Sequence, residues 1–391
     1  MIRFEEALDI VAHEAKPLSF EWIGLSDCLG RILATDVFAD MDMPPFDKSA
    51  VDGYACRRED LGSELQVKEV IAAGKEPQFE IGKDECAKLM TGGMVPKGAD
   101  TVIMVEEVEV LELNRIRFTG SKTAPNICFR AEDIHKGDKV LEKGTLLRAQ
   151  EVAILASVGK ASPEVYEQVK IGIITTGDEL VEPGVSPGPS QIRNSNAWQL
   201  IIQVKKAGCI PNYYGIAVDD EAETLSLIEK ACAENQIVIL TGGVSVGDFD
   251  FVPAVLARAG FDLKFRSIAV QPGKPSIFAT RGSTYLFALP GNPVSSFVQF
   301  ELLVRHLLNH MSGNFDSAKL RKLTMGFDYT RKRTDRKAFI PVAFLEDGSV
   351  GPIEYHGSAH IHSYIFAEGI ISVEIGSNVI NKGTLVDVRF L

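Results

Sequence analysis

The strongest constraint on the fold is an alternation of strand-like and helix-like segments between residues 170 and 310. The run Ile171–Thr176 is apolar up to its final threonines, which is typical of a strand buried on both faces. The pattern then predicts helices over 196–207, 221–234 and 253–258, strands near 213–218 and at 237–240, 263–270, 276–279 and 284–289, and a last long helix from Pro293. This alternation indicates βαβ units and a parallel sheet with helices on both faces.

Three glycine-rich turns follow three of these strands, at Thr175–Glu179, Thr241–Asp248 and Leu289–Pro293. In a parallel sheet such turns lie at the C-terminal strand ends, where ligands bind and helix N-termini offer N–H groups to anions. A single glycine after a strand is as often structural as functional, because tight turns need positive φ. Three such turns with polar residues predict one ligand pocket. From the first two turns we predict these ligand-binding residues: Thr176, Gly177, Gly242, Gly243 and Ser245. No turn matches the P-loop or the dinucleotide fingerprint, which argues against an ATPase or a Rossmann dehydrogenase.

Acidic side chains stand in the same turns, namely Asp178, Glu179, Asp248 and Asp250. Carboxylates repel a phosphate unless a hard cation lies between them, so the turns indicate a divalent metal such as Mg²⁺. For Asp178 and Asp248, capping of a helix N-terminus explains the acid equally well.

The flanking segments predict further domains, and the fold class is α/β plus β. Residues 1–44 and 141–168 are expected to form a discontinuous arm, with helices at 4–11, 25–33 and 144–159. Short β-branched runs over 45–140 predict a β-rich domain, residues 169–312 the central parallel-sheet α/β domain, and residues 318–391 a C-terminal β barrel or sandwich.

Composition excludes several classes of protein. The formal net charge of −12, without a block of Lys and Arg, argues against a nucleic-acid partner. No apolar run is long enough to span a bilayer and the first residues are acidic, so we expect no membrane segment and a cytoplasmic location. The six cysteines form no CxxC pair and are predicted to be reduced structural thiols.

The histidines are predicted to be structural. His306 and His310 lie one helical turn apart without the Glu of HExxH, while His360 and His362 would share one face of an edge strand.

Two long strings carry a resemblance to a known family. SAVDGYA at residues 49–55 and MTGGMVPKGAD at residues 90–100, together with the three turns, closely resemble the MoeA family of molybdopterin molybdenumtransferases, which is related to the C-terminal part of gephyrin. The strings are specific, occur in the expected order, and the resemblance spans nearly the whole chain. It implies an elongated, L-shaped homodimer, a molybdopterin-binding role for the α/β domain, and a composite active site where one subunit's β domain faces the other's α/β domain.

The resemblance also implies residue roles. The family's functional acids fall on Asp52, Glu179, Asp219 and Asp250, of which the last three are assigned to the metal, and its MTG threonine falls on Thr91. The string PGKP supplies Lys274, LPGNPVS supplies Pro290, Gly291, Asn292 and Ser295, and GSAHIHS supplies Ser358 and Ser363.

The chain departs from the family's pattern at several positions. Cys128 replaces an Arg of the NIRxxGED string, Gln271 replaces the frequent Lys or Arg before PGKP, and Pro341 stands where a second C-terminal Arg is common. Positive charge for molybdate would therefore depend chiefly on Lys274, Arg336 and Arg266.

The implied function is the last step of molybdenum cofactor biosynthesis. Molybdopterin-AMP and molybdate would be the substrates, Mg²⁺ the cofactor, and molybdopterin adenylyltransferase the pathway neighbour. Two alternatives stay open. One is the adenylyltransferase itself, against which the roughly 250 residues flanking the α/β domain argue. The other is a gephyrin-like dimeric scaffold that binds a peptide and would not require the acids of the pocket.

Overall fold

The chain divides into two compact units in a computed structural model that describes residues 1–218, 220–243, 252–314 and 320–391. The larger unit contains Met1–Thr35, Lys143–Arg148 and Ser162–Leu391, and the smaller contains Asp36–Glu142 and Ala149–Ala161. The helices are α1 (Phe4–Glu14), α2 (Ala149–Ser157), α3 (Ser195–Lys206), α4 (Glu221–Glu234), α5 (Val252–Arg258), α6 (Pro293–Gln299) and α7 (Arg305–Ser312), and a π-helical stretch, Phe300–Val304, joins α6 to α7.

The smaller unit is built on a six-stranded sheet. In spatial order its strands are Thr101–Met104, Gly53–Cys56, Glu85–Leu89, Glu64–Ile71, Arg115–Phe118 and Val108–Leu111. Two short ribbons, Lys48–Ser49 with Ile127–Cys128 and Val37–Phe38 with Lys139–Leu141, accompany it. Side chains alternate between two buried clusters, one around Leu65 and Ile103 and the other around Ile71 and Leu89, which explains the β-branched runs of the sequence.

The larger unit contains the predicted central sheet. In chain order its strands are β1 (Lys170–Thr176), β2 (Ile210–Ala217), β3 (Ile237–Thr241), β4 (Asp262–Phe265), β5 (Ile277–Arg281) and β6 (Thr284–Leu289). In space they follow the order β2-β1-β3-β6-β5-β4. Strands β2, β1, β3 and β6 are parallel, whereas β5 and β4 are antiparallel additions at one edge. The predicted parallel sheet is therefore confirmed for four strands. Strands β5 and β4 depart from it because the two residues between β5 and β6 can close only a hairpin.

Helices cover both faces of this sheet, as predicted. On one face Ile173, Ile239 and Phe287 pack in a core that includes residues of α1, α3, α6 and α7. On the other face Ile174 and Leu240 pack in a core with residues of α4 and α5. Burial of each such side chain stabilises the folded state by about 1.5–3 kcal/mol. Because both faces of β1 are buried, its sequence is a continuous apolar run rather than an alternating one.

The predicted helix over 25–33 was wrong. Only the three-residue 3₁₀ turn Leu25–Asp27 forms, and Gly30 then takes a left-handed conformation with φ 75°. Ile32 bridges to Leu146 and Leu33 to Val165, beside a short ribbon of Phe20–Trp22 with Glu164–Tyr166. Pairing with residues more than 100 positions away therefore overrides the local helical pattern.

The C-terminal part of the larger unit is β-rich. Its strands are Val270–Gln271, Arg321–Thr324, Lys337–Phe344, Val350–Pro352, Gly369–Val373 and Leu385–Phe390, with a small ribbon of Tyr329–Thr330 and Val379–Ile380. A bridge from Met325 to Val350 curls the sheet around a core that contains Ile371 and Val388. The predicted class, α/β plus β with a β-rich C-terminal domain, is confirmed, and the four domain boundaries remain predictions. No helix of the described ranges is long and apolar enough to cross a membrane.

The strand predicted for His360 and His362 does not form, whereas His306 packs against α1, as predicted for a structural histidine. The strand expected at His360 and His362 was wrong, because Ile361–Phe366 forms a 3₁₀ helix. His306 lies against α1, with Nε2 3.2 Å from the Leu8 carbonyl oxygen, which can only accept a hydrogen. Burial, reinforced by His310, lowers the pKa of His306 to about 4.

A dependence of stability on pH follows from His306. The His306 imidazole is protonated near pH 6.5 in the unfolded chain but only near pH 4 in the folded protein. The free energy of unfolding is therefore at its full value above about pH 6.5 and decreases as the pH falls toward 4. Because His306 is partly exposed, we expect the free energy of unfolding to fall by only about 1–2 kcal/mol between pH 7 and pH 5. In His306→Gln this decrease should be absent. Urea unfolding at pH 7 and pH 5 measures it, with exposed His13→Gln as the control. An equal loss in wild type and His306→Gln would contradict the assignment.

Candidate functional site

The described residues of the three glycine-rich turns, 175–179, 241–243 and 289–293, meet at one edge of the central sheet. Thr175 pairs with Thr241, and Thr241 pairs with Leu289, so β1, β3 and β6 end side by side. A cleft of about 540 Å³ opens at these ends. Eight of the predicted residues line it: Thr176, Gly177, Glu179, Gly242, Gly243, Pro290, Gly291 and Asn292. The volume is in the range of small-molecule binding sites.

Close approach of two backbones explains one of these glycines. Gly242 has φ 98°, and a Cβ atom at this position would lie 2.3 Å from the carbonyl oxygen of Thr176. The N–H of Gly242 also donates to the carbonyl of Leu289. Gly242 therefore has a structural requirement of its own, and it brings the ends of β1, β3 and β6 together at the floor of the cleft.

Two asparagines at the start of α3 fix this helix to the turns. The Asn194 side chain accepts from the Ala197 N–H as the N-cap, and its Nδ2 donates to Thr175 and Tyr213. Asn196 Nδ2 donates to Thr241 Oγ1 at 3.1 Å and to the Gly291 carbonyl at 2.7 Å. The N-terminus of α3 therefore lies at the cleft, where the helix dipole favours an anion.

A partly buried hydrogen-bond chain holds the same region. The Tyr213 hydroxyl donates to Glu182 Oε1 at 2.6 Å and accepts from Asn194. Burial and the Glu182 carboxylate raise the pKa of Tyr213 above its ordinary value, so this phenol stays a donor. Asn194 is thereby fixed from both sides, and the cleft wall is preorganised.

Two polar atoms at the cleft lack a partner among the described residues. They are Thr176 Oγ1 and Asn196 Oδ1, both buried. Buried polar atoms are nearly always hydrogen-bonded, and exceptions mark functional positions or absent ligands. The sequence did not single out Asn194, Asn196 or Arg193. The string RNSNA before α3 signals only a helix N-cap.

The metal prediction can be followed at one position only. Glu179 is exposed in the turn after β1 and lines the cleft, so one hard oxygen ligand is present. The other two predicted ligands, Asp219 and Asp250, lie outside the described residues, as does Ser245. Within the described ranges, no group of three His, Cys, Asp or Glu residues could hold a metal ion.

Of the residues assigned by resemblance near the C-terminus, Ser358 comes close to the cleft. Its hydroxyl accepts from Asn292 Nδ2 at 3.0 Å and its carbonyl from the Val294 N–H, so its loop lies on the start of α6. Ser295 and Ser363 do not line this cleft. Ser295 is buried on α6, and the Ser363 hydroxyl donates to the His360 carbonyl beside another cavity.

Lys274 and Arg336 flank one backbone segment although 62 positions separate them. The Lys274 carbonyl accepts from the Ile268 N–H, and the Ala269 carbonyl accepts from the Lys337 N–H. Lys274 is exposed beside Pro275, which lines the cleft. Register pairing of Val270 with Lys337 therefore brings these two predicted cations into one region.

Asp52 and Thr91 contact each other in the smaller unit. The N–H and hydroxyl of Thr91 both donate to Asp52 Oδ1, at 2.6 and 2.8 Å. These two donors hold the pKa of Asp52 below its ordinary range. The structure thus joins the DGYA and MTGG strings into one exposed, ionised carboxylate.

The sequence matches three family models in chain order. Residues 2–159 match the MoeA N-terminal region (domain I and II), 172–310 a "Probable molybdopterin binding domain", and 322–391 the MoeA C-terminal region (domain IV). The molybdopterin molybdenumtransferase of Staphylococcus aureus strain Mu50 is 31% identical over 398 residues, covering 99% of this chain and 95% of the relative. This chain belongs to the MoeA family. A Bacillus subtilis member with the same name is 37% identical over 318 residues, 78% of this chain and 74% of the relative.

A solved structure agrees with the MoeA fold over the full length. The molybdopterin biosynthesis moeA protein from Pyrococcus horikoshii OT3 superposes with a TM-score of 0.84 at 32% identity, covering 100% of both chains. Apart from Ala359, the residues that line the cleft lie in the segment 172–310 that matches the probable molybdopterin binding domain.

Proposed function

We propose that this protein inserts molybdenum into molybdopterin. It takes molybdopterin-AMP and molybdate and releases the metal-loaded pterin and AMP. The observation that carries the proposal is the convergence of three glycine-rich turns and the α3 N-terminus on one cleft, in a chain that matches all three MoeA regions. Relatives named molybdopterin molybdenumtransferase support the same reaction.

The reaction balances as two exchanges. The two dithiolene sulfurs form bonds to molybdenum as two oxo groups leave, and these oxo groups take up protons and depart as water. One water is consumed when the phosphoric anhydride to AMP is cleaved, so the net release is AMP and one water. The protein's contribution is positioning and charge stabilisation, because neither exchange requires a covalent protein intermediate.

The described residues include groups that can bind the phosphate, the metal ion and the molybdate of this reaction. The backbone N–H groups at the α3 N-terminus favour a phosphate, and Thr176 and Asn196 offer unpartnered oxygens to ligand donors. Glu179, with Asp219 and Asp250, would hold Mg²⁺, which when bound neutralises the anhydride oxygens. Lys274 and Arg336 would receive molybdate, without Ser363, which lies beside another cavity, and Asp52 and Thr91 of the second subunit would complete the site.

The alternatives differ in what they require. An adenylyltransferase would need only the α/β region, whereas this chain also matches the N-terminal and C-terminal MoeA regions. A gephyrin-like scaffold would not need a cleft with unpartnered polar atoms.

The deciding experiment is AMP release. Purified protein is incubated with molybdopterin-AMP, Mg²⁺ and molybdate, and the same mixture without molybdate is the control. AMP that forms only with molybdate supports insertion. Peptide binding with no turnover, or synthesis of the adenylate from ATP, would replace the proposal.

We expect Lys274→Ala to raise the molybdate concentration for half-maximal turnover about tenfold or more, with little change for molybdopterin-AMP. A hydrogen bond to a charged group contributes about 1.5–3 kcal/mol, and Lys274 has no ion-pair partner among the described residues that would hold it elsewhere. Gln271→Lys should act in the opposite direction. Exposed Lys332→Ala is the matched control, and an unchanged half-saturation in Lys274→Ala would remove this residue from the site.

We also expect a homodimer in solution. The Asp52–Thr91 pair belongs to the smaller unit, whereas the cleft residues belong to the larger unit. The family resemblance assigns this pair to the active site of the partner subunit. Light scattering at micromolar concentration should give twice the 42.7 kDa chain mass. A monomer mass would overturn the composite site.

A further inference from the structure

A second concave site lies at the other end of α3. A 12-residue helix is about 18 Å long, so its C-terminal end lies well away from the cleft at its N-terminus. There a cavity of about 170 Å³ is lined by Lys206, Glu301, Arg305, Arg389, Phe390 and Leu391. Among the described residues, neither the glycine-rich turns nor the predicted site residues line it.

The only carboxylate side chain of this cavity among the described residues is already engaged. Glu301 is buried, its Oε2 accepts from Arg305 Nε at 2.7 Å, and its Oε1 accepts from Arg305 Nη2 at 3.2 Å and from Gln203 at 2.9 Å. In the described part of the chain, Lys206 and Arg389 form no ion pair. Three cationic side chains and one carboxylate leave a side-chain charge of +2.

Arg389 makes this imbalance costly. Burial lowers the pKa of Arg389, and the nearby Arg305 lowers it further, although Glu301 acts in the opposite direction. A partly buried guanidinium without a bound anion is unfavourable unless something else offsets it. The helix dipole favours Lys206 in the last turn of α3, and Glu301 offsets Arg305, so Arg389 is the cation of this cavity that lacks a counter-charge among the described side chains.

A larger cavity adjoins this one. It has a volume of about 400 Å³ and shares Lys206 and Arg305 with the first. Lys205 adds a further cation, while Leu29, Ile32 and Leu308 contribute apolar wall. A ligand with an anionic end in the small cavity could therefore place an organic body against the apolar wall.

We propose that Lys206, Arg305 and Arg389 bind the phosphate group of a phosphorylated small molecule whose organic part lies in the adjoining cavity. A phosphate monoester carries a charge of about −1.5 to −2 at pH 7 and offers three acceptor oxygens to these cations, whereas a carboxylate carries a single charge and offers two oxygens. Guanidinium groups also present the planar donor pairs that bind phosphate bidentately. Binding here is independent of the proposed function of the cleft.

Calorimetric titration of the full chain with three probes tests the site: phenyl phosphate, inorganic phosphate and benzoate. We expect phenyl phosphate to bind about tenfold more tightly than inorganic phosphate or benzoate. Lys206→Gln and Arg389→Gln should each weaken phenyl phosphate about tenfold, and Arg389→Lys should weaken it less. Arg193→Gln, in the cleft, and Lys332→Gln, on the surface, should leave it unchanged.

Several outcomes would overturn the proposal. The first three are the absence of saturable binding, equal affinity for benzoate and phenyl phosphate, and an affinity that Lys206→Gln and Arg389→Gln leave unchanged. The fourth is loss of binding in Arg193→Gln, which would assign the phosphate to the cleft. If Arg389→Gln fails to fold, Lys206→Gln decides alone, because Lys206 is exposed at the end of α3.

Discussion

Replacement of Glu179 by Gln is expected to lower molybdate-dependent AMP release about 100-fold or more while the fold stays intact. The change removes one negative charge at nearly constant volume. Glu179 is exposed and lines the cleft, and no described side chain depends on its carboxylate, so stability should hardly change. Removal of one preorganised electrostatic contact in an active site typically costs 10²–10³ in rate.

Glu182→Gln is the matched control for this experiment. Glu182 lies three positions further along the chain, does not line the cleft, and accepts from Tyr213. The Gln amide oxygen can still accept from the Tyr213 hydroxyl, so Asn194 stays positioned. The replacement should reduce stability by about 1 kcal/mol and leave turnover within a few-fold of wild type. Circular dichroism and AMP release, measured on both variants, separate the two roles. Near wild-type turnover in Glu179→Gln would show that this carboxylate is not part of the metal site.

The sequence predicts the floor of the cleft because its signals are local. The apolar run of β1 and Gly177 after it lie within ten residues, and each has a direct physical cause in two-sided burial or a tight turn. Parallel strands then bring separate turns to one edge without further information. The strand and turn patterns alone therefore suffice to bring Thr176, Gly242 and Gly291 together.

The walls of the cleft depend on long-range contacts that the sequence does not display. Asn196 bonds to residues 45 and 95 positions away, and its string signals only the start of a helix. The proximity of Lys274 to Arg336 follows from strand register, which composition does not reveal. The wrong helix at 25–33 has the same origin, because Leu33 pairs with Val165. Local patterns predict elements, and tertiary pairing decides which of them form.

Gly242→Ala is expected to destabilise the larger unit by about 2–4 kcal/mol and to weaken molybdopterin-AMP binding at least tenfold. Its φ of 98° is unfavourable for alanine, and the new methyl group would meet Thr176 at 2.3 Å from the carbonyl oxygen and 2.7 Å from Oγ1. Backbone strain and overpacking of this kind each cost about 1–3 kcal/mol. Because β1 and β3 are tied by the Thr175–Thr241 pair, relief of the clash must separate their ends.

Gly282→Ala isolates the effect of the close approach from that of the backbone conformation. Gly282 also has a positive φ, 63°, but no atom lies within 4 Å of its added Cβ. It should lose only about 1 kcal/mol and bind ligand normally, because the β5–β6 hairpin turn does not line the cleft. Urea unfolding gives the two stabilities, and ligand titration well below the unfolding midpoint gives the two affinities. If Gly242→Ala were no less stable than Gly282→Ala, the ends of β1 and β3 would not approach as closely as the cleft requires.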